Sequence, residues 1–222
     1  MKIYSTIFLF LISLSLTAQQ EKEKINSSTK GYLTTLNLPN AIFPNAARYN
    51  LGYIYNLNNK LKAGVELGYG NDKITFFEFN TYEEKFNFWE IRPEFYYVLN
   101  PNKKTLKYFS AEIFYTNYRT QIHNGNYTNT SGTYFQYDKI DYSKQKYGII
   151  PKFGMFINFT ERLGINCYVG LGIRNKINKY SNAINLREKD APMEGFWLAT
   201  FTDEGSRLGA EFNLGFKLFY RL

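Results

Sequence analysis

Hydrophobic and polar positions alternate along most of the chain from Gly31 onward with a period of two, the spacing that sends successive side chains to opposite faces of a strand. In segment 61–69, Leu61, Ala63, Val65, Leu67 and Tyr69 share one face, while Lys62, Gly64, Glu66 and Gly68 take the other. Segment 163–174 sets Leu163, Ile165, Cys167, Val169, Leu171 and Ile173 against Gly164, Asn166, Tyr168, Gly170, Gly172 and Arg174. Segment 208–221 sets Leu208, Ala210, Phe212, Leu214, Phe216, Leu218 and Tyr220 against Gly209, Glu211, Asn213, Gly215, Lys217 and Arg221. Segments 49–56, 89–97, 109–116 and 147–159 follow the same rule with modest exceptions, and a weaker alternation near 32–38 completes a set of eight predicted strands. Pro93 and Pro151 fall inside two of them, where proline is expected beside an edge or a bulge.

The connections alternate in length. Residues 58–60, 100–104 and 160–162 are tight polar turns, whereas 71–85, 120–146 and 175–207 read as long loops, with 39–46 the shortest connection on that second rim. Short turns on one rim and long loops on the other predict an all-β, eight-stranded antiparallel up-and-down barrel of the transmembrane kind. No repeat longer than a hairpin and no second domain is visible.

Volume decides which face is inside. An eight-stranded barrel has room for its own side chains or one small ligand. Tyr, Phe, Trp, Leu and Ile from every strand would overfill it, so the apolar face is expected to point outward, to lipid. The other face interleaves glycines (Gly52, Gly64, Gly68, Gly148, Gly154, Gly164, Gly170, Gly172, Gly209, Gly215) with long charged chains. Glu66, Glu90, Glu94, Glu112 and Glu211 stand against Lys62, Arg92, Lys152, Arg174 and Lys217, an interior charge network able to neutralise itself, as buried charge requires. On the apolar face, Tyr55, Tyr97, Phe159 and Tyr220 lie near the short-turn ends of their strands. Tyr69, Trp89, Tyr115 and Tyr147 lie near the long-loop ends, so that two aromatic girdles flank an aliphatic band.

The chain starts Met1-Lys2, continues through an apolar run to Leu16, and meets Ala18 before Gln19-Gln20. This reads as a cleaved secretory signal peptide over residues 1–18, a short periplasmic segment over 19–30, and a barrel domain over 31–222. Aromatics make up 19% of the chain, with 20 Tyr and 20 Phe, yet mean hydropathy is negative, which suits rings used at an interface. The only cysteine, Cys167, excludes a disulfide within the chain. A formal charge of +8 with a secretory leader suits anionic lipopolysaccharide better than nucleic acid, which is not expected as a partner.

The leader end Thr17-Ala18-Gln19, the 61–70 strand, the run Arg92-Pro93-Glu94-Phe95-Tyr96-Tyr97 and the closing 208–222 strand together resemble the small outer-membrane barrels of Bacteroidota, similar in architecture to OmpX and the OmpA membrane domain. The likeness spans the mature chain, although the last aromatic, Tyr220, stands two residues before the end. It implies residence in the cell outer membrane among lipids and lipopolysaccharide, insertion by the barrel-assembly machinery, and no cofactor. Some related barrels modify lipid A with a Ser–His pair. Here the only histidine is His123, and Ser131 is the nearest loop hydroxyl. A lone loop histidine reads as a surface group, so no catalytic residue and no metal ligand is assigned. Glu83-Glu84 and Asp203-Glu204 read as solvated loop charge. The expected role is structural or surface interaction through the long loops, with strand character in 73–79 and 133–137 suggesting a protruding sheet that a surface protein or polymer pairs with. A narrow port for ions or small apolar solutes and a lipid-A-modifying barrel are the alternatives.

Overall fold

The computed structural model describes residues 33–37, 48–73, 83–190 and 203–222. The expected signal peptide, the 19–30 segment, the 39–46 connection and residues 74–79 lie outside them. Among the described residues there is no helix. The strands are β1 (Leu33–Asn37), β2 (Tyr49–Asn56), β3 (Leu61–Asn71), β4 (Glu83–Val98), β5 (Thr105–Thr128), β6 (Tyr134–Asn158), β7 (Leu163–Ile184), the two-residue β8 (Arg187–Glu188) and β9 (Gly205–Arg221). Each of β1 to β6 pairs antiparallel with the next, β7 pairs with β9, and β9 returns to β1, which closes a ring of eight strands. β8 attaches outside the ring to the start of β6 through Phe135↔Glu188 and Gln136↔Arg187.

Local chemistry sets the turns. Asn58 Oδ1 accepts from the backbone N–H groups of Lys60 and Leu61, both at 2.8 Å, and Thr160 Oγ1 accepts from Leu163 N at 2.9 Å. These bonds hold two of the short turns without help from the rest of the fold.

Two expectations about the long rim are corrected. Segment 120–146 is not a loop: the β5–β6 ladder runs from Thr105↔Ile157 to Thr128↔Tyr134 and leaves only a turn at 129–133. There Asn129 Oδ1 accepts from Ser131 N and Thr133 N, and Gly132 takes φ +85°, a conformation that strains other residues. Likewise the first ten residues of 175–207 continue β7 to Ile184. These extensions have no lipid face, so Tyr, Thr, Lys and Gln alternate without a hydrophobic stripe. At about 3.3 Å per residue the 24 residues of β5 span roughly 80 Å, far more than the 9–11 residues a membrane strand needs.

The prolines are accommodated without bulges. Pro93 pairs with Val65 on β3, while the β4–β5 ladder skips from Ile91↔Tyr115 to Glu94↔Glu112 in unchanged register. Pro151 pairs with Ala111 on β5, and the β6–β7 ladder skips from Ile149↔Ile173 to Lys152↔Gly170. At each proline, which has no N–H to donate, two successive pairs of the ladder are skipped on one side. The register shifts fall elsewhere, at Glu84/Asn87 and Lys139/Asp141.

Burial is inverted relative to a water-soluble barrel. Leu208 is 79% exposed, Leu214 70% and Phe212 66%, whereas Glu112 is 0%, Glu90 1% and Lys152 2% exposed. Large hydrophobics line the outside and ionised side chains fill the inside. Strand register aligns Tyr49, Tyr69 and Trp89 in one outer row and Tyr115 with Tyr147 in its continuation, and the Trp89 and Tyr115 rings lie 5.1 Å apart. Tyr97 sits between Leu61 and Phe109, and Tyr220 beside Leu163, near the short turns. Eight residue steps from Trp89 to Tyr97 make about 26 Å of strand, or roughly 20 Å of height at a tilt of about 40°.

Candidate functional site

The lumen is where polar chemistry gathers, and it is layered. Nearest the short turns, Ile54, Tyr96, Val98, Leu106, Tyr108, Phe156 and Phe219 form a buried cluster inside the barrel. Ring centroids of Tyr108 and Phe156 are 4.9 Å apart, and those of Tyr96 and Tyr108 5.1 Å. Glycines on facing strands make the room: a Cβ at Gly164 would come within 2.3 Å of the Phe219 ring, and one at Gly154 within 2.4 Å of the Tyr108 ring. The crowding at these glycines follows the expectation from sequence, whereas the apolar floor is an addition to it. Gly209 departs from the expectation, since a Cβ there would meet nothing within 4 Å.

Above the floor lies the charge belt. Lys152 Nζ reaches Glu112 at 2.5 Å and Glu94 at 3.2 Å, and Ser110 Oγ donates to Glu94 at 2.6 Å. Arg92 bridges Glu90 and Glu112, each at 2.8 Å, while Lys217 meets Glu66 at 2.6 Å. Asn50 Nδ2 donates to both Glu66 and Glu90, which ties two carboxylates that would otherwise repel. The Tyr168 ring stands beneath two ammonium groups, Lys152 at 4.6 Å and Lys217 at 5.1 Å. Higher still, Lys146 and Arg174 share Glu211, at 2.8 and 2.6 Å. Buried ions are tolerated when paired and hydrogen-bonded in this way, and removing one partner typically costs about 3–5 kcal/mol. A cavity of about 170 Å³ opens in the belt, lined in part by Arg48, Glu66, Arg92, Glu112, Glu211 and Lys217.

Of the ten charged residues read from the alternation, nine meet an opposite charge in these pairs. Lys62 does not join them: it is buried near the short turns, and its ammonium donates to Asn56 Oδ1. Two members of the belt escape sequence reading. Arg48, 2.5 Å from Glu90, precedes β2 and lies outside the alternating segments, and Lys146 falls within 120–146, which reads as a loop. The alternation of Lys146 with outward Tyr147 is the signal that could have found it.

No protein-family model matches the sequence, and no curated protein matches it either. Two solved structures are similar in fold. One is a major outer membrane protein of Thermus thermophilus, at 10% identity and a TM-score of 0.44, covering 86% of this chain and 99% of that one. The other is CarO2 of Acinetobacter baumannii, at 8% identity and a TM-score of 0.38, covering 86% and 97%. The barrel assignment itself stands on the closed strand ladder and inverted burial described above.

Outside the belt, His123 Nε2 lies 3.1 Å from Glu84 Oε2, and Lys139 Nζ 3.6 Å from the same oxygen. These contacts hold the Glu84 carboxyl below its ordinary range, hydrogen bonding from His123 first. Ser131 sits in the 129–133 turn, and five strand residues, roughly 16 Å, separate His123 from that turn. The structure does not bring the two into a nucleophile–base pair. Asp203 corrects the reading of solvated loop charge: it is buried and paired with Arg207, and its carbonyl accepts from Asn178 Nδ2 at 2.8 Å. Among the described residues no group of three or more His, Cys, Asp and Glu side chains is gathered as a metal site.

Proposed function

We propose that the chain is an integral outer-membrane barrel, of the small Bacteroidota OmpX-like type, whose lumen is plugged. Its task is structural or adhesive, carried by the parts of β5, β6 and β7 that rise beyond the membrane. The observation that carries this reading is the inversion of burial: an aliphatic and aromatic belt faces out while paired ions and a ring-filled floor occupy the bore. The floor favours a closed barrel over a narrow port, because the rings of Tyr108, Phe156 and Phe219 pack against one another inside the bore.

The test is refolding of the mature chain into detergent and then into planar bilayers. The expected product is β-rich, migrates differently on a gel before and after boiling, and conducts negligibly. A stable water-soluble monomer would overturn the membrane reading, and steady conductance by the wild type would overturn the plugged one. A tag at Asn129, in the β5–β6 turn, should be accessible on intact cells, and exclusive access at Asn59 or Asn102 would reverse the orientation.

A further inference from the structure

On the outer surface, above the tyrosine row, a shallow open groove of about 510 Å³ crosses the wall, lined in part by Lys85, Arg119, Gln121, Ser143, Gln145 and Lys179. The β5–β6 and β6–β7 ladders run in unbroken register from Tyr115, Tyr147 and Asn175 to Arg119, Ser143 and Lys179, four residues further along each strand. An even step keeps these side chains on the outer face. Arg119 alternates with the buried Tyr118 and Thr120, and Lys179 follows the buried Asn178, while Arg119 and Lys179 are themselves exposed. Four residues make about 13 Å of strand, or roughly 10 Å of height at a tilt of about 40°, which puts both cations just outside the hydrocarbon band. Ser143 stands directly opposite each of them, so a hydroxyl lies between two bases across three neighbouring strands.

The carboxylates nearby are occupied. Asp141, the acid that lines the groove, accepts from Gln121 Nε2 and Asn182 Nδ2 on its two oxygens, both at 2.7 Å. Glu84, opposite Gln121 on β4, is taken by His123 and Lys139. Among the described residues, neither Arg119 nor Lys179 forms an ion pair.

We propose that this groove binds the phosphate of a lipid headgroup from the surrounding leaflet, with Arg119 and Lys179 pairing with it and Ser143 donating from between them. Position argues for a lipid source: the groove opens sideways from the barrel wall, above Trp89, Tyr115 and Tyr147, against which the acyl chains of the same lipid lie. The inference rests on the barrel reading, because only a lipid-facing wall brings headgroups to this height.

Trp89 pairs with Asn117, two residues below Arg119, so its fluorescence reports lipid at the groove. A Trp197→Phe background leaves Trp89 as the only tryptophan. This full-length barrel is refolded in uncharged detergent, and brominated dioleoyl phosphatidic acid or brominated dioleoyl phosphatidylcholine is added at matched mole fractions, with the boiled-versus-unboiled gel shift confirming folding of every sample. Phosphatidic acid should quench saturably and at lower mole fraction than phosphatidylcholine. Arg119→Gln with Lys179→Gln should reduce its quenching to the phosphatidylcholine level, and Arg119→Lys should retain the preference. Lys103→Gln with Lys107→Gln removes the same charge near the short turns and should leave the preference intact. Equal quenching by the two lipids in a folded barrel, a preference that survives the Arg119/Lys179 pair, or one lost equally in the Lys103/Lys107 pair overturns the site while sparing the barrel reading. A chain that does not fold in detergent overturns that reading instead. Inorganic phosphate that abolishes the preference at constant ionic strength would make the ligand a free oxyanion and overturn the headgroup assignment.

Discussion

Gly215 and its neighbour Leu214 carry the two faces of the barrel on adjacent residues of β9. Leu214 is 70% exposed and pairs with Val169 on the outer surface. Leu214→Arg puts a charge toward lipid and should cost roughly 2–4 kcal/mol in detergent or bilayer. A Cβ on Gly215 would come within 2.7 Å of the Tyr168 hydroxyl, so Gly215→Leu overpacks the belt at about 1–3 kcal/mol. Lys217→Glu is a third kind of change: it removes the ammonium from Glu66 and sets two carboxylates together, for which about 3–5 kcal/mol is the scale. Urea unfolding in detergent measures all three. If Gly215→Leu and Lys217→Glu are silent while Leu214→Arg alone destabilises, the second face is a solvated surface and the inversion is wrong.

At the scale of elements, the rise of β5, β6 and β7 beyond the outer tyrosine row creates a second, aromatic unit. Tyr127, Tyr137 and Ile140 form its buried centre, and the Tyr127 and Tyr180 rings stack at 4.2 Å. Burial, with a smaller contribution from Tyr127, pushes the Tyr137 hydroxyl up to about 12 from its ordinary 10.0, and burial raises Tyr180 further. A folded state that prefers the neutral phenol holds its proton more tightly than the unfolded chain does. Its stabilisation is therefore complete below pH 10 and is lost as pH rises towards 12. Near-ultraviolet circular dichroism should show the hairpin's tyrosine signal fading in that window, and Tyr137→Phe should make it more resistant. Phenols that all titrate together near 10 would remove the cluster. This unit is only partly legible in the sequence: 133–137 reads as strand, but 120–146 as a whole reads as loop. Below the outer tyrosines, lipid on one side forces the clean alternation seen in Leu61, Ala63, Val65 and Leu67. Above them both faces meet water or other rings, so Tyr118, Thr120 and Ile122 pair without a stripe. The floor is hidden for a different reason. Tyr96, Phe156 and Phe219 alternate as interior residues should, but only strand register reveals that Gly164 faces Phe219 and Gly154 faces Tyr108. The charged belt is the most legible part, because a glutamate recurring on the glycine face has few other places to go.

For the whole molecule, the plugged lumen proposed above amounts to two obstructions in series, each of a different physical kind. In that proposal the floor fills space with Tyr96, Tyr108, Phe156 and Phe219, so an ion crossing it would give up most of its hydration for few polar ligands. The belt is polar and holds a cavity, but its path is occupied by side chains fixed in pairs such as Lys152–Glu112 and Arg92–Glu90. Opening one obstruction leaves the other in place, so conductance should respond to mutation non-additively. Phe156→Ala with Phe219→Ala opens space in the floor and should still leave the barrel nearly silent in a planar bilayer. Lys217→Glu loosens the belt at Glu66 and should also be nearly silent, because the rings below it are untouched. The three changes together should yield steady ion current well above the sum of the two partial variants, provided each protein keeps its gel shift on boiling. Full current from the floor variant alone would mean that the paired ions line a continuous port instead of plugging one. The alternative role as a narrow channel would then replace the structural one.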